Sequence, residues 1–157
     1  MKRMEIREIG AAVDMVRLRS ALREFRDNLN DWQKGEMSNV GVFASECDGE
    51  EVGLTCPPSV GYSCLLLSSW GIVHHTDVAE YKYNILIPLD PKGWCFKYTD
   101  HLGHEREKGY VFSYDYYIFQ PGLLHSLAPL CGKKKPWVAL AIETDVILNP
   151  NADSMPS

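Results

Sequence analysis

The sequence lacks a paired-cysteine motif. Its five cysteines, Cys47, Cys56, Cys64, Cys95 and Cys131, are odd in number and widely spaced, and no two of them form a Cys-x-x-Cys pair. Structural zinc sites built from thiolates normally use such pairs, so a zinc site of this kind is not expected. We expect free thiols in a reducing compartment, and therefore a cytoplasmic protein.

The sequence also lacks a long apolar run and an excess of positive charge. No stretch approaches the roughly 18 apolar residues of a membrane span, and the amino-terminal residues lack the apolar centre of a signal peptide. The formal net charge is −5, whereas nucleic-acid-binding domains usually carry a basic excess. We therefore expect neither a membrane nor a nucleic acid as a partner.

What the chain does contain is ordinary globular composition. It has 157 residues, of which 45% are hydrophobic and 24% are charged, and it contains no internal repeat. A chain of this length favours one domain. We predict a single domain over residues 1–157, with a helical lead-in at 1–35, a β-rich core at 36–148 and a flexible tail at 149–157.

The amino-terminal part shows the periodicity of an amphipathic helix over residues 5–34. Apolar side chains recur at steps of three and four residues and form one stripe: Met15, Leu18, Leu22, Phe25, Leu29 and Trp32. Gly35 follows as a plausible helix stop. We expect this helix to lie across a sheet.

After Gly35, short runs rich in β-branched and aromatic residues are separated by Gly, Pro, Asp and Ser. The predicted strands are Val40–Ala44, Tyr62–Ser68, Tyr83–Leu89, Trp94–Thr99, Tyr110–Tyr114, Tyr116–Phe119, Leu124–Leu127 and Trp137–Glu143. Residues 46–59 are predicted to form a long loop. Several short strands with turn residues between them indicate a sandwich or barrel of antiparallel strands.

Three residues within this β-region could bind a metal together. His75 and Asp77 are two residues apart, so on a strand both side chains leave the same face. His125 follows a Pro-Gly turn at the start of another predicted strand. Two imidazoles and one carboxylate on one face of a metal leave positions open, as in non-haem Fe(II) oxygenases. The alternative is that both histidines are polar residues satisfied by hydrogen bonds at strand edges.

The order His75-Thr76-Asp77, then His125, then Lys135 ten residues later resembles the Fe(II)/2-oxoglutarate-dependent dioxygenases, particularly their prolyl-hydroxylase-like branch. The resemblance implies a mainly β protein with an amino-terminal helix, built on a double-stranded β-helix, that is, a cupin-like jelly-roll barrel. It implies that His75, Asp77 and His125 hold Fe(II). The co-substrates would be 2-oxoglutarate and O2, with ascorbate as a further cofactor.

The resemblance also implies an anchor for the keto-acid. Lys135 would pair with the distal carboxylate of 2-oxoglutarate, because a dicarboxylate in a narrow barrel needs its far charge neutralised. Lys133 or Lys134 could take this role in a different strand register. Tyr62 or Tyr83 could donate a second hydrogen bond to the same carboxylate.

The implied activity is oxidative decarboxylation of 2-oxoglutarate coupled to oxidation of a C–H bond. The sequence does not identify the substrate, which could be a protein side chain or a small molecule. Two features depart from the family pattern: the anchor is Lys rather than the commoner Arg, and residues 91–95 replace a Gly-Gly-Glu-Thr-like stretch. Because the chain is short, a substrate lid would come from residues 46–60 and 100–109.

A cupin-type metal protein is the alternative interpretation. The segment from Pro121 to His125 resembles the second cupin motif, while Asp77 replaces a histidine of the first motif and Glu80 lies close to its expected carboxylate. Such a protein could be an isomerase, a dioxygenase that needs no keto-acid, or a small-molecule sensor. A third interpretation is a barrel that binds a partner without doing chemistry.

Overall fold

The structure is a computed structural model of the chain. It describes residues 3–29, 41–77, 80–89, 92–99, 103–108, 116–130 and 135–149. Within these residues one α-helix, α1 (Met15–Asp27), and one 3-10 helix (Gly49–Val52) accompany twelve strands. The strands are β1 (Arg3–Ile6), β2 (Ala11–Asp14), β3 (Phe43–Cys47), β4 (Leu54–Thr55), β5 (Tyr62–Ser69), β6 (Ile72–His75), β7 (Tyr83–Pro88), β8 (Trp94–Thr99), β9 (Glu105–Lys108), β10 (Tyr117–Phe119), β11 (His125–Pro129) and β12 (Trp137–Thr144).

The last eight strands form a jelly roll. One sheet has the order β10-β7-β12-β5, with β3 added beside β5, and the other has the order β6-β11-β8-β9. All the pairings are antiparallel, and the chain crosses between the two sheets as it does in two interlocked Greek keys. The predicted mainly β fold with a jelly-roll barrel is therefore confirmed.

The inner strands β7 and β12 of the five-stranded sheet are buried on both faces. Side chains such as Ile85 and Leu140 point to one core, which they share with α1 and the small sheet β1-β2-β4. Their strand neighbours Leu86 and Ala141 point to a second core inside the barrel. Because successive residues of a strand face opposite sides, a sheet covered on both sides reads as a nearly continuous apolar run.

The helix α1 is shorter than predicted. It begins after Asp14, whose side chain accepts hydrogen bonds from the backbone N–H groups of Val16 and Arg17 at 3.1 and 3.3 Å. Its buried face contains Leu18 and Leu22 and packs against β5 and β12, as expected of a helix that lies across a sheet. No helix in the described ranges has both the length and the apolar character needed to cross a membrane.

The prediction of helix over residues 5–14 is wrong. This segment pairs β1 with β2 as an antiparallel hairpin, with Gly10 at a φ of 65° in the turn. Along β1 buried Met4 and Ile6 alternate with exposed Arg3 and Glu5, which is the two-residue period of a strand. The predicted end of the helix near Gly35 and the tail beyond residue 149 lie outside the described residues.

The predicted lid is also corrected where the structure describes it. Residues 46–60 contain the 3-10 helix and β4, and Val52 and Leu54 are buried in the core shared with α1. Residues 105–108 form β9, which pairs with β8. Backbone that is held by a core or by a sheet cannot swing as a lid, so residues 46–60 and 105–108 do not have that role. Residues 100–102 and 109 lie outside the described residues.

Most of the remaining strand predictions agree with the structure to within two residues. The exception is Val40–Ala44, which is displaced toward the carboxyl end as β3. The predicted strand Tyr110–Tyr114 lies outside the described residues.

Candidate metal centre

The pairing of β6 with β11 brings the two histidines together. His75 and His125 are direct partners in the antiparallel register, and their ring centroids are 4.3 Å apart. Just after β6, the backbone N–H of Asp77 donates to the carbonyl of Pro121 at 2.8 Å. This bond holds Asp77 against the turn that leads into β11, so all three predicted ligands meet at one end of the barrel.

The three side chains have the spacing of a metal-binding set. Asp77 Oδ1 lies 3.1 Å from His75 Nε2 and 3.7 Å from His125 Nε2. One ligand atom from each residue falls within 4.8 Å of the others. Atoms bound to a common ion at about 2.0–2.2 Å are roughly 3 Å apart when they meet at right angles. The residues present therefore fit a divalent ion.

Backbone carbonyls fix the protonation pattern of both rings. His75 Nδ1 lies 2.7 Å from the carbonyl oxygen of Val73, and His125 Nδ1 lies 2.8 Å from that of Leu123. A carbonyl only accepts, so each Nδ1 carries the proton. The lone pair of each neutral ring is then on Nε2, which faces Asp77. Metal-bound histidines almost always use their second nitrogen in this way.

Asn84 on β7 orients the carboxylate. Its buried side-chain amide donates to Asp77 Oδ2 at 2.6 Å, which leaves Oδ1 directed at the two imidazoles. Asn84 is not among the site residues predicted from the sequence. The available signal was a polar amide in the middle of the apolar run that forms β7, a position where a polar side chain usually needs a specific partner.

The electrostatics of the site favour an ionised carboxylate beside one neutral imidazole. The hydrogen bond to Asp77 raises the pKa of His75. Burial opposes ionisation of Asp77, but the hydrogen bond from His75, the charges of the two histidines and the bond from Asn84 outweigh it and lower the pKa of Asp77. Burial lowers the pKa of His125. Metal ligands must be deprotonated, so His75 is the residue at which a proton competes with an ion.

A cavity of about 420 Å³ opens from the three side chains into the barrel. Its floor is aromatic: the rings of Phe96 and Phe119 lie 5.6 and 4.7 Å from that of His125. Glu80 and Glu143 contribute carboxylates to the wall, and no lysine or arginine of the described residues lines it. The cavity therefore has an apolar interior and an acidic rim, which Glu80 and Glu143 form.

No protein-family model matches this chain, and no curated protein matches its sequence. A single-residue variant of oxalate decarboxylase from Bacillus subtilis aligns with a TM-score of 0.43 and 17% identity, over 70% of this chain and 27% of that one. Oxalate oxidase in complex with the substrate analogue glycolate aligns with a TM-score of 0.45 and 14% identity, over 68% of this chain and 53% of that one.

A third structure, from work on the Mn(II) centres of Bacillus subtilis oxalate decarboxylase, aligns with a TM-score of 0.42 and 17% identity, over 76% of this chain and 29% of that one. This chain thus spans under a third of the decarboxylase and about half of the oxidase. At such scores these similarities carry no argument about activity. The jelly-roll assignment rests on the chain's own strand order.

Of the residues predicted to bind a keto-acid, the three that the structure describes do not line the cavity. Tyr62 packs its hydroxyl over Gly49 on the other side of the five-stranded sheet. Tyr83 precedes Asn84 on β7 and so faces away from the barrel interior. Lys135 is exposed ahead of β12. Their role in binding 2-oxoglutarate has no support in this arrangement.

Glu143 is a further residue that the sequence analysis missed. It lies opposite Asn84 in the pairing of β12 with β7 and faces the same cavity as the three predicted ligands. Burial, and then the negative charges of Glu80 and Asp77, raise the pKa of Glu143. The signal in the sequence was a carboxylate near the end of the otherwise apolar run of β12, beside the equally unexpected threonine that ends it.

Proposed function

We propose that this chain is a metal-dependent enzyme of the cupin type that acts on a small molecule. His75, Asp77 and His125 hold a divalent ion, and the substrate binds in the cavity beside them. One observation carries the proposal: two imidazoles whose Nδ1 atoms are bound to backbone carbonyls turn their Nε2 atoms toward the same carboxylate oxygen. Such an arrangement is costly to form by chance, because His125 is buried and the side chains of His75 and Asp77 are largely removed from water.

Fe(II) is the ion that this ligand set suits best, with Mn(II) as the nearest competitor. Two imidazoles and one carboxylate on one face are typical of non-haem iron sites. When bound, the ion supplies Lewis acidity or redox chemistry at the coordination positions that the three protein ligands leave open. The protein orients the ligands through Asn84 and the backbone carbonyls, and the rings of Phe96 and Phe119 pack against that of His125.

The charge of the cavity bears on the class of substrate. Glu80 and Glu143 would repel a molecule with two carboxylates, while the apolar floor favours one with a hydrocarbon or ring portion. We therefore propose a neutral or cationic substrate with an apolar part. Glu143, whose pKa is raised mainly by burial, retains its proton to higher pH than an exposed glutamate, and it could give or take a proton at the cavity wall.

A 2-oxoglutarate-dependent oxygenase is the second candidate. The order His75, Asp77, His125 along the chain favours it. The acidic rim and the exposed position of Lys135 speak against it, since a dicarboxylate would lack a described cation at its far end. Lys133 and Lys134 lie outside the described residues, so the experiment has to include them.

Anaerobic titration with Fe(II) and with Mn(II), monitored by calorimetry, tests the metal site. We expect one ion per chain for the wild type and for His74→Ala, a matched control on the same strand, and no binding for Asp77→Ala. Equal affinity of the wild type and Asp77→Ala would reject the site.

Repeating the Fe(II) titration with 2-oxoglutarate separates the two candidates. The cupin proposal predicts the same Fe(II) affinity with and without the keto-acid, and no succinate formation. Metal-dependent binding of 2-oxoglutarate that is lost in Lys133→Ala, Lys134→Ala or Lys135→Ala would favour the oxygenase instead. A chain that bound neither the metal nor the keto-acid would be a barrel without chemistry.

A further inference from the structure

A pair of thiols lies on the face of the five-stranded sheet that points away from the metal centre. Cys47 ends β3 and Cys64 is on β5, and the two are direct partners in the antiparallel register. Both are free thiols, and they are in hydrogen-bond contact with each other. We propose that Cys47 and Cys64 are a redox modification site, which a peroxide-class oxidant converts to a cross-strand disulfide.

The backbone geometry suits a disulfide. Directly opposed residues of an antiparallel pair have Cα atoms about 4.5 to 5.5 Å apart. That interval lies within the roughly 4.4 to 6.8 Å that a disulfide spans without strain. The bond therefore forms by side-chain rotation, with no displacement of β3 or β5.

The two thiols differ in a way that assigns their roles. Both thiols border an open depression of about 450 Å³, but Cys47 is half-buried, whereas Cys64 is 3% exposed and belongs to the core shared with α1. The Cys64 thiol donates to the Cys47 sulfur, and this lowers the pKa of Cys47 despite burial and the nearby charges of Glu51 and Asp48. Cys47 is the accessible nucleophile, and Cys64 is held behind it as the resolving thiol.

The chemistry balances in two steps. The Cys47 thiolate attacks the O–O bond of a peroxide, takes one oxygen as a sulfenic acid and releases water or an alcohol. The Cys64 sulfur then displaces water from that sulfenic acid, and the S–S bond forms as the thiol proton leaves with the departing oxygen. Two thiols lose two electrons in total, and one peroxide is reduced.

The other thiol near this depression provides a contrast. Cys56 is also half-buried, but it has no thiol opposite it in a strand pair. Burial raises the pKa of Cys56 to about 11. Little of it is thiolate near neutral pH, so we expect Cys47 to react with peroxide at least about tenfold faster than Cys56.

Peroxide treatment of the full-length reduced protein tests the proposal, with alkylation of the remaining thiols and mass mapping of the peptides. The wild type and the matched control Cys56→Ser should each lose two hydrogens and yield a peptide that joins Cys47 to Cys64. Cys64→Ser should stop at a sulfenic acid on Cys47, which dimedone traps, and Cys47→Ser should form no such product.

Three results would overturn the proposal. In the first, Cys47 and Cys64 both remain alkylatable while other cysteines oxidise. In the second, either of them joins Cys56, Cys95 or Cys131 instead. In the third, Cys56 is labelled by dimedone as fast as Cys47 in Cys64→Ser. None of these measurements involves a metal, so their outcome is independent of the proposed enzymatic activity.

Discussion

At the scale of single residues, the candidate site depends on partners that hold each ligand in place. The Nδ1 atoms of His75 and His125 are bound to carbonyls two residues earlier on their own chain segments. Asp77 is held by Asn84, a residue on a different strand. The first two supports are local and follow from the backbone, whereas the third depends on how β7 packs beside the end of β6.

Replacing Asn84 with alanine should weaken metal binding without unfolding the protein. Loss of a group that orients a metal ligand typically lowers affinity by about 10- to 100-fold. Calorimetric titration of Asn84→Ala with Fe(II) measures the loss, and Asn28→Ala, at the exposed end of α1, is the control. An affinity unchanged from that of the control would show that Asn84 does not position Asp77.

Metal binding should weaken as the pH falls, with one proton involved. The pKa of His75 is raised above its ordinary value of 6.5 by Asp77, so His75 still carries a proton where a free histidine would have lost it. Burial lowers the pKa of His125, which is already neutral in this range. Below the pKa of His75, the dissociation constant should rise about tenfold per pH unit.

Titrations between pH 5.5 and 8 measure this slope. A slope of two protons in the upper part of that range would mean that His125 is also protonated there, against the effect of its burial. A flat profile would remove His75 from the ligand set.

At the scale of elements, local signals set the boundaries of the jelly-roll strands but not the start of the helix. Most predicted strands match because turn residues bracket each apolar run. Residues 5–14 were misassigned to the helix, although the step of two residues from Val13 to Met15 breaks the three- and four-residue spacing of the stripe on α1. Gly10 and Asp14 mark the real turn and cap, but each was outweighed by the longer periodic pattern.

Removing the cap of α1 tests the corrected boundary. Asp14→Ala deletes the acceptor for the N–H groups of Val16 and Arg17 and should lower the free energy of unfolding by about 1 kcal/mol. Urea denaturation measures the difference. Asp27→Ala, at the exposed end of the same helix, should change stability by less than about 0.5 kcal/mol. Equal effects of the two substitutions would place the start of the helix elsewhere.

Local signals in the sequence also predicted part of the candidate site. His75 and Asp77 are close in sequence, and the Pro-Gly turn before His125 indicates the start of a strand. The three residues could therefore be proposed as one set of metal ligands. Asn84 and Glu143 enter the site only through the register of β7 with β12. Such pairings join residues far apart in the chain, and a single sequence carries no local signal of their register.

At the scale of the whole molecule, the five-stranded sheet divides one core from another. Leu140 is fully buried on the side of α1, and Leu86 lines the metal cavity on the opposite side. Substitutions at distant sites that share no partner usually have effects that add independently. Stability and ligand binding should therefore respond to different sets of positions.

Leu140→Ala should separate these two properties. Deleting a fully buried leucine costs about 2–5 kcal/mol of unfolding free energy, and Fe(II) affinity should stay within about threefold of the wild type, since no metal ligand touches that core. Chemical denaturation and calorimetry on the same sample measure both. Leu86→Ala is the matched comparison, with a similar loss of stability and an enlarged cavity. A large loss of metal affinity in Leu140→Ala would mean that the two cores are coupled.

Successive side chains of β12 face the cavity and the core beside α1 in turn, so the shape of the cavity can change without loss of packing in that core. Ala141 is a small side chain on the cavity wall, and its immediate neighbours Leu140 and Ile142 anchor the strand from behind. Larger residues at position 141 would narrow the cavity while Leu140 and Ile142 kept the strand anchored. Substrate preference could then diverge through single substitutions at every second residue of β12, while the fold stays the same.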